Sequence, residues 1–180
     1  MSETAYSSRA ELLFRREFAP RAPLYGVFDS AREPAARFEA QAVGIQHESL
    51  FAGSMGDLLE DVAPYVSEFP LRSPFREWWF GQWGKSIGVL VEAAVDLSEL
   101  RRHFRTLMMV IDQERKRYFF RFYDPRVLTV FLPACTPEEL KHFFGPIGTF
   151  YCEDCSGQEL VAFSLGSDGL LKCRRAGLAA

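Results

Sequence analysis

Cys152-Glu-Asp-Cys155 separates two thiols by two residues, the spacing of metal-binding and disulfide-cycling pairs. Zinc requires four ligands, and the other thiols, Cys135 and Cys173, are isolated instead of forming a second pair. Disulfide cycling needs a depressed thiolate pKa, which the two intervening acids oppose. His47, His103 and His142 are far apart, and none belongs to a metal-ligand motif. Four reduced thiols, no metal and no cofactor are therefore expected. The sequence also lacks a G-x-S-x-G elbow, a P-loop and the Rossmann glycine fingerprint, so no catalytic residue is assigned.

Aromatic and arginine side chains are more informative. Phe75, Trp78, Trp79 and Trp83 follow helical spacing and are expected largely to share a face. Core packing accounts for some of them, and an exposed remainder would anchor a protein partner, because Trp and Arg dominate interface energetics. Leu12, Leu13, Phe14 and Phe18 form one apolar face of a short helix and would add to such a surface.

In Tyr118-Phe-Phe-Arg-Phe-Tyr-Asp-Pro-Arg-Val-Leu128, a strand puts Tyr118, Phe120 and Phe122 on one face and Phe119, Arg121 and Tyr123 on the other. An arginine among aromatics needs a carboxylate or several carbonyl acceptors. Asp124 is adjacent, and Asp29 and Asp112 stand at strand ends. Asp124 also suits the N-cap of a following helix, with Pro125 in its first turn. Two readings follow. One is an ion pair and cap that fix a strand-to-helix corner. The other is a small enzyme or binding module with a phosphate or carboxylate pocket around Arg121, Asp124 and Asp29, at a strand end where α/β folds bind ligands.

The elements that must position these residues are read from periodicity and punctuation. Residues 1–20 form an amphipathic segment closed by Pro20 and Pro23. Strands are expected at Leu24–Phe28, Glu48–Phe51, Tyr65–Phe69, Ile87–Val91, Gly148–Cys152 and Glu159–Leu165, with Leu170-Leu171 returning through the Ser167-Asp-Gly169 turn. Helices are expected from Pro34 to Gly44, from Ser73-Pro74 to Gly84 and after Asp96-x-x-Glu99. Two more run from Asp124-Pro125 to Pro133 and from Thr136-Pro137-x-Glu139 to Gly145. Ser54-x-x-Asp57 caps a further short helix with Met55, Leu58, Leu59 and Val62 inward. Leu107–Ile111 and Tyr118–Tyr123 flank a charged linker as an antiparallel hairpin, and Arg174–Ala180 are expected to fray. The alternation predicts an α/β fold: a mixed, partly parallel β-sheet covered by helices, with an antiparallel hairpin near residues 107–123.

Composition bounds the rest. The 180 residues are 48% hydrophobic and 25% charged with a net charge of -3, an ordinary globular balance that excludes intrinsic disorder. Mild acidity argues against a general nucleic-acid binder, although Arg greatly outnumbers Lys. Neither a signal peptide nor a membrane span is visible, so a cytoplasmic protein is expected.

Several landmarks recur in order: Leu24-Tyr-Gly-Val-Phe-Asp29, Ala31-Arg-Glu-Pro34, Ser49-Leu-Phe51, Ala63-Pro-Tyr-Val66 through Phe69-Pro70, and Trp83-Gly-Lys-Ser86. They continue with Leu100-Arg-Arg-His-Phe104, Phe120-Arg-Phe-Tyr-Asp-Pro-Arg-Val-Leu128, Phe131-Leu-Pro133, Phe143-Phe-Gly-Pro146 and Phe150. This set, from Leu24 to about Asp154, resembles the adaptor (chaperone) family of bacterial type VI secretion systems, with Phe120–Leu128 its most specific part. The resemblance implies an adaptor domain over residues 21–156, with 1–20 an N-terminal segment and 157–180 a C-terminal hairpin and tail on the same domain. It implies no catalytic site, and two partners: a toxic effector bound in the cytoplasm, and the valine-glycine repeat spike protein onto which the effector is loaded. No nucleic acid or membrane partner is implied. Arg121, Tyr123, Asp124 and Arg126 match the signature. With Trp78, Trp79, Trp83, Leu12, Phe14 and Phe18 they are the candidate partner-binding residues.

Overall fold

Leu24–Asp29 carries apolar side chains on both faces with no polar alternation, the pattern of a strand covered from both sides. In the structure, a computed structural model that describes residues 3–51, 53, 58–111 and 114–178, this strand (β1) is buried along its whole length. Around it stand α1 (Glu3–Glu17), α2 (Ala35–Ala42), β2 (His47–Ser49), β3 (Pro64–Glu68), α3 (Pro74–Gly81) and β4 (Gly88–Ala93). The chain continues through α4 (Leu97–Leu107), β5 (Met109–Ile111), β6 (Arg117–Phe119), α5 (Pro125–Ala134) and α6 (Pro137–Phe144). It ends in the strands β7 (Ile147–Glu153), β8 (Glu159–Leu165) and β9 (Leu171–Gly177).

The main sheet has the order β2-β3-β1-β4-β7-β8-β9, and every neighbouring pair is antiparallel. This corrects the expectation of a partly parallel sheet. Two strand–helix–strand units lie within the main sheet, but a third strand separates the two strands of each. β3 and β4, joined by α3, run in the same direction with β1 between them, so Val27 faces Val66 on one side and Val89 on the other. β1 and β2, joined by α2, are likewise separated by β3.

Helices cover both faces. On one, α1, α2 and α3 bury Phe14, Phe18, Ala36, Ala40, Phe75, Trp79 and Phe80 against Phe28, Tyr65, Leu90 and Tyr151. On the other, α4, α5 and α6 bury Leu100, Phe104, Leu128, Leu132 and Phe143 against Val27, Val66, Val89, Val91 and Phe150. Sequence signals set the helix starts. Ser73, Asp96 and Asp124 accept from backbone N–H groups of their first turns, and Thr136 and Glu139 form the reciprocal box.

Other boundaries differ from expectation. The hairpin pairs Met109 with Phe119 and Ile111 with Arg117 but stops at Phe119 and stands outside the main sheet. Residues 174–177 are not frayed, because β9 pairs with β8 through Gly177. Pro133 lies inside the last turn of α5. Ser54–Asp57 lie outside the described residues, and Leu58, Leu59 and Val62 are exposed instead of inward.

The Trp79 ring reaches β1 and β4 because two glycines make room. A Cβ on Gly26 would come within 3.2 Å of the Trp79 ring, a side-chain contact. A Cβ on Gly88 would overlap the Val27 carbonyl and reach 2.9 Å from both Phe28 Cα and Trp79 Cη2. Backbone cannot yield as a side chain can, so Gly88→Ala is expected to cost about 2 kcal/mol or more and Gly26→Ala distinctly less. Urea unfolding of the two variants measures this, and equal losses would refute the packing account.

Candidate functional site

The signature run forms a corner on the α4–α6 side of the sheet. After β6 the chain turns at Arg121, whose carbonyl accepts from the Asp124 N–H at 3.0 Å. Phe122 is fully buried and stacks on Phe104 at 5.1 Å, and Phe120 packs on Phe131 at 4.5 Å. Asp124 Oδ1 accepts from the Arg126 N–H and Nε, each at 3.0 Å, and Oδ2 from Nη2 at 2.6 Å. The buried Asp29 carboxylate, at the end of β1, pairs with Arg121 and also accepts from the Ala31 N–H at 3.0 Å.

Burial raises the Asp124 pKa, but the Arg126 bonds outweigh it and leave the carboxyl below its ordinary value. Burial also lowers the Arg121 pKa, yet Tyr123 and Asp29 more than compensate. Burial and Asp29 raise the Tyr123 hydroxyl against Arg121. The corner thus brings Asp29, Arg121, Tyr123, Asp124 and Arg126 together, and their charges are matched within it.

The remaining candidates do not join them. Phe14, Phe18 and Trp79 are buried in the core, which corrects their place on an exposed surface. Of that set only Leu12 is well exposed, at 66%. Trp78 and Trp83 are half-buried; Trp78 stacks on Phe75 at 5.8 Å, and Trp83, beyond the end of α3, donates from Nε1 to the Gly157 carbonyl at 2.9 Å. The thiols are spread from buried (Cys152) to exposed (Cys155, Cys173). Among the described residues no group of three or more His, Cys, Asp and Glu is placed to hold a metal.

Two structural groups escaped sequence reasoning. Arg76 is 1% exposed: its Nε donates to Glu11 at 2.9 Å, and its guanidinium lies 5.2–5.4 Å from the rings of Phe14, Phe69 and Phe80. Its position beside Phe75 in an aromatic helix was the available signal. Glu153, noticed only as a charge between cysteines, is buried and accepts from the Gly84 and Ser86 N–H groups. It thereby pins the Trp83-Gly-Lys-Ser86 loop, where Gly84 and Ser86 have φ of 91° and 53°.

A different kind of surface adjoins the corner. Met109, Val110, Ile111, Tyr118 and Phe119, all of the β5–β6 hairpin, are exposed together. Phe119 lies beside the Phe51 ring at 5.7 Å.

Fold and site together define a three-layer domain: an antiparallel sheet between two helical layers, with a charge-matched corner and an exposed apolar hairpin. A family model for a domain of unknown function, DUF4123, matches residues 24–142, more than half of the chain, so the chain belongs to that family. The match runs from the first residue of β1 into α6 and includes both corner and hairpin. No curated protein and no solved structure matches the chain. Among the described residues no helix is long and apolar enough to cross a membrane.

Arg121→Ala leaves the Asp29 carboxylate buried without its cation. The expected loss is about 1–2 kcal/mol, below the roughly 3–5 kcal/mol of a fully buried pair because Arg121 is half exposed. Adding Asp29→Asn should recover part of it; additive losses in urea unfolding would show that the pair is not coupled.

Burial raises the Glu153 carboxyl above its ordinary 4.5, outweighing the hydrogen bonds from Gly84 and Ser86 that lower it. The folded chain then holds this proton more tightly than the unfolded chain does, so Glu153 subtracts stability as pH rises from about 4.5 through the folded pKa. The melting-temperature difference, Glu153→Gln minus wild type, should become more positive from about pH 4.5 to 7. A pH-independent difference would mean that the hydrogen bonds cancel the effect of burial, and a difference that falls with rising pH that they outweigh it.

Proposed function

We propose that the chain is a non-enzymatic adaptor of a type VI secretion system, which binds a toxic effector in the cytoplasm and helps load it onto the valine-glycine repeat spike protein. The carrying observation is the contrast between corner and hairpin. The signature's charged residues are engaged with one another, whereas the adjoining hairpin offers five large apolar side chains to solvent. A surface of this kind is the usual mark of a protein-binding site. Membership of the family and the ordered landmarks from Leu24 to Phe150 support the same reading. The phosphate or carboxylate pocket loses its main support, since Arg121 and Arg126 are each engaged by an internal carboxylate.

Co-purification from the native host, with the tagged chain as bait, tests this. The expected result is recovery of a spike protein together with a large neighbouring toxin, with crosslinks on this chain. Recovery of the chain alone, from cells that express the apparatus, would overturn the reading.

A further inference from the structure

We infer that the β5–β6 hairpin receives an acidic, extended segment of the carried protein as a third strand, an inference that rests on the adaptor reading. A two-stranded ribbon is marginal in water unless another strand or a helix covers it. Among the described residues no strand pairs with the outer edge of β5 or of β6. Cross-strand partners share a face, so Met109, Ile111 and Phe119 lie on one side and Val110 and Tyr118 on the other. Exposure runs from 40% at Val110 to 63% at Ile111, so both faces offer apolar area to an added strand.

Charge specifies the partner. Outside the charge-matched corner, residues 101–119 contain six basic and two acidic side chains, a surplus of four positive charges in a chain of net charge -3. Arg102 and Arg105 lie exposed on α4 just before β5, and Arg115 and Arg117 lie exposed at the hairpin tip. An acidic strand would therefore meet complementary charge at both ends of the apolar stretch, which favours encounter and fixes register. Strand addition supplies main-chain hydrogen bonds, while alternate side chains reach the two faces. Nucleic acid would also meet the charge, but the two exposed rings, Tyr118 and Phe119, stand on opposite faces of the hairpin and do not form the row on which successive bases stack.

The test uses the full chain and three labelled probes: a peptide of about ten residues alternating Glu and Val, its Lys counterpart, and a single-stranded DNA of similar length. The Glu peptide should bind at least about tenfold more tightly than the Lys peptide, and more weakly as salt rises from about 50 to about 500 mM. Hydrogen exchange should slow at amides of β5 or β6. Ile111→Ser and the double variant Arg105→Glu/Arg117→Glu should each weaken binding about fivefold or more with melting temperature unchanged. Equal binding of both peptides, absence of binding, preference for DNA, or protection confined to other elements would overturn the inference. Those outcomes leave the adaptor reading intact, because co-purification with effector and spike decides it separately.

Discussion

A carboxylate buried at the end of an interior strand must find a cation, and Asp29 finds Arg121. That contact joins two parts of the chain that no strand ladder connects, because residues 120–123 belong to neither sheet. Asp29 also organises its own side of the junction. Its carbonyl accepts from the Arg32 and Glu33 N–H groups, and its carboxylate from Ala31, turning the chain toward α2. Asp124 does the equivalent at the start of α5, three residues beyond Arg121. Two acids, each held by an arginine, therefore fix where β1 ends and where α5 begins, and the hairpin projects from the segment between α4 and that corner.

The Asp124 half of the corner is legible because its residues are local, whereas Asp29 lies 92 residues from Arg121 and is legible only as one acid among several at strand ends. Asp-Pro marks the helix start that Asp124 caps, but an arginine among aromatics asks for an acid without saying which: of Asp124, Asp29 and Asp112 it is Asp29 that takes Arg121, while the adjacent Asp124 takes Arg126. The sheet was less legible. Apolar runs and helical periodicity locate strands and helices but do not say which strands become neighbours. The insertion of β1 between β3 and β4 is set by long-range packing: Gly26 and Gly88 accommodate Trp79, and Val27 lies between Val66 and Val89. None of those pairs is close in sequence.

The misplaced partner surface has a similar cause. An amphipathic stripe such as Leu13, Phe14 and Phe18 reads alike whether a partner or the chain's own sheet covers it. Here the sheet covers it, and Arg76 decides the matter: its buried guanidinium pairs with Glu11 and is ringed by Phe14, Phe69 and Phe80, so α1 is tied to α3. The Trp79 ring was likewise consumed by the glycine-lined floor beneath it. Periodicity identifies an apolar face and is silent about what meets it.

The hairpin differs from those faces because the fold had the means to close it and did not. One edge of the main sheet, β9, carries Lys172, Arg174 and Arg175, the cationic pattern that discourages edge-to-edge pairing. On β5 the corresponding positions are Met109, Val110 and Ile111, with no charge within the strand. The basic residues gather instead before β5 and at the tip, where they border the edge without blocking it. An apolar strand added to β9 would have to bury cations along its length, whereas one added to β5 meets apolar side chains with charge only at the ends. The contrast between two edges of one molecule thus separates a surface that only needs to stay soluble from one suited to a selected partner.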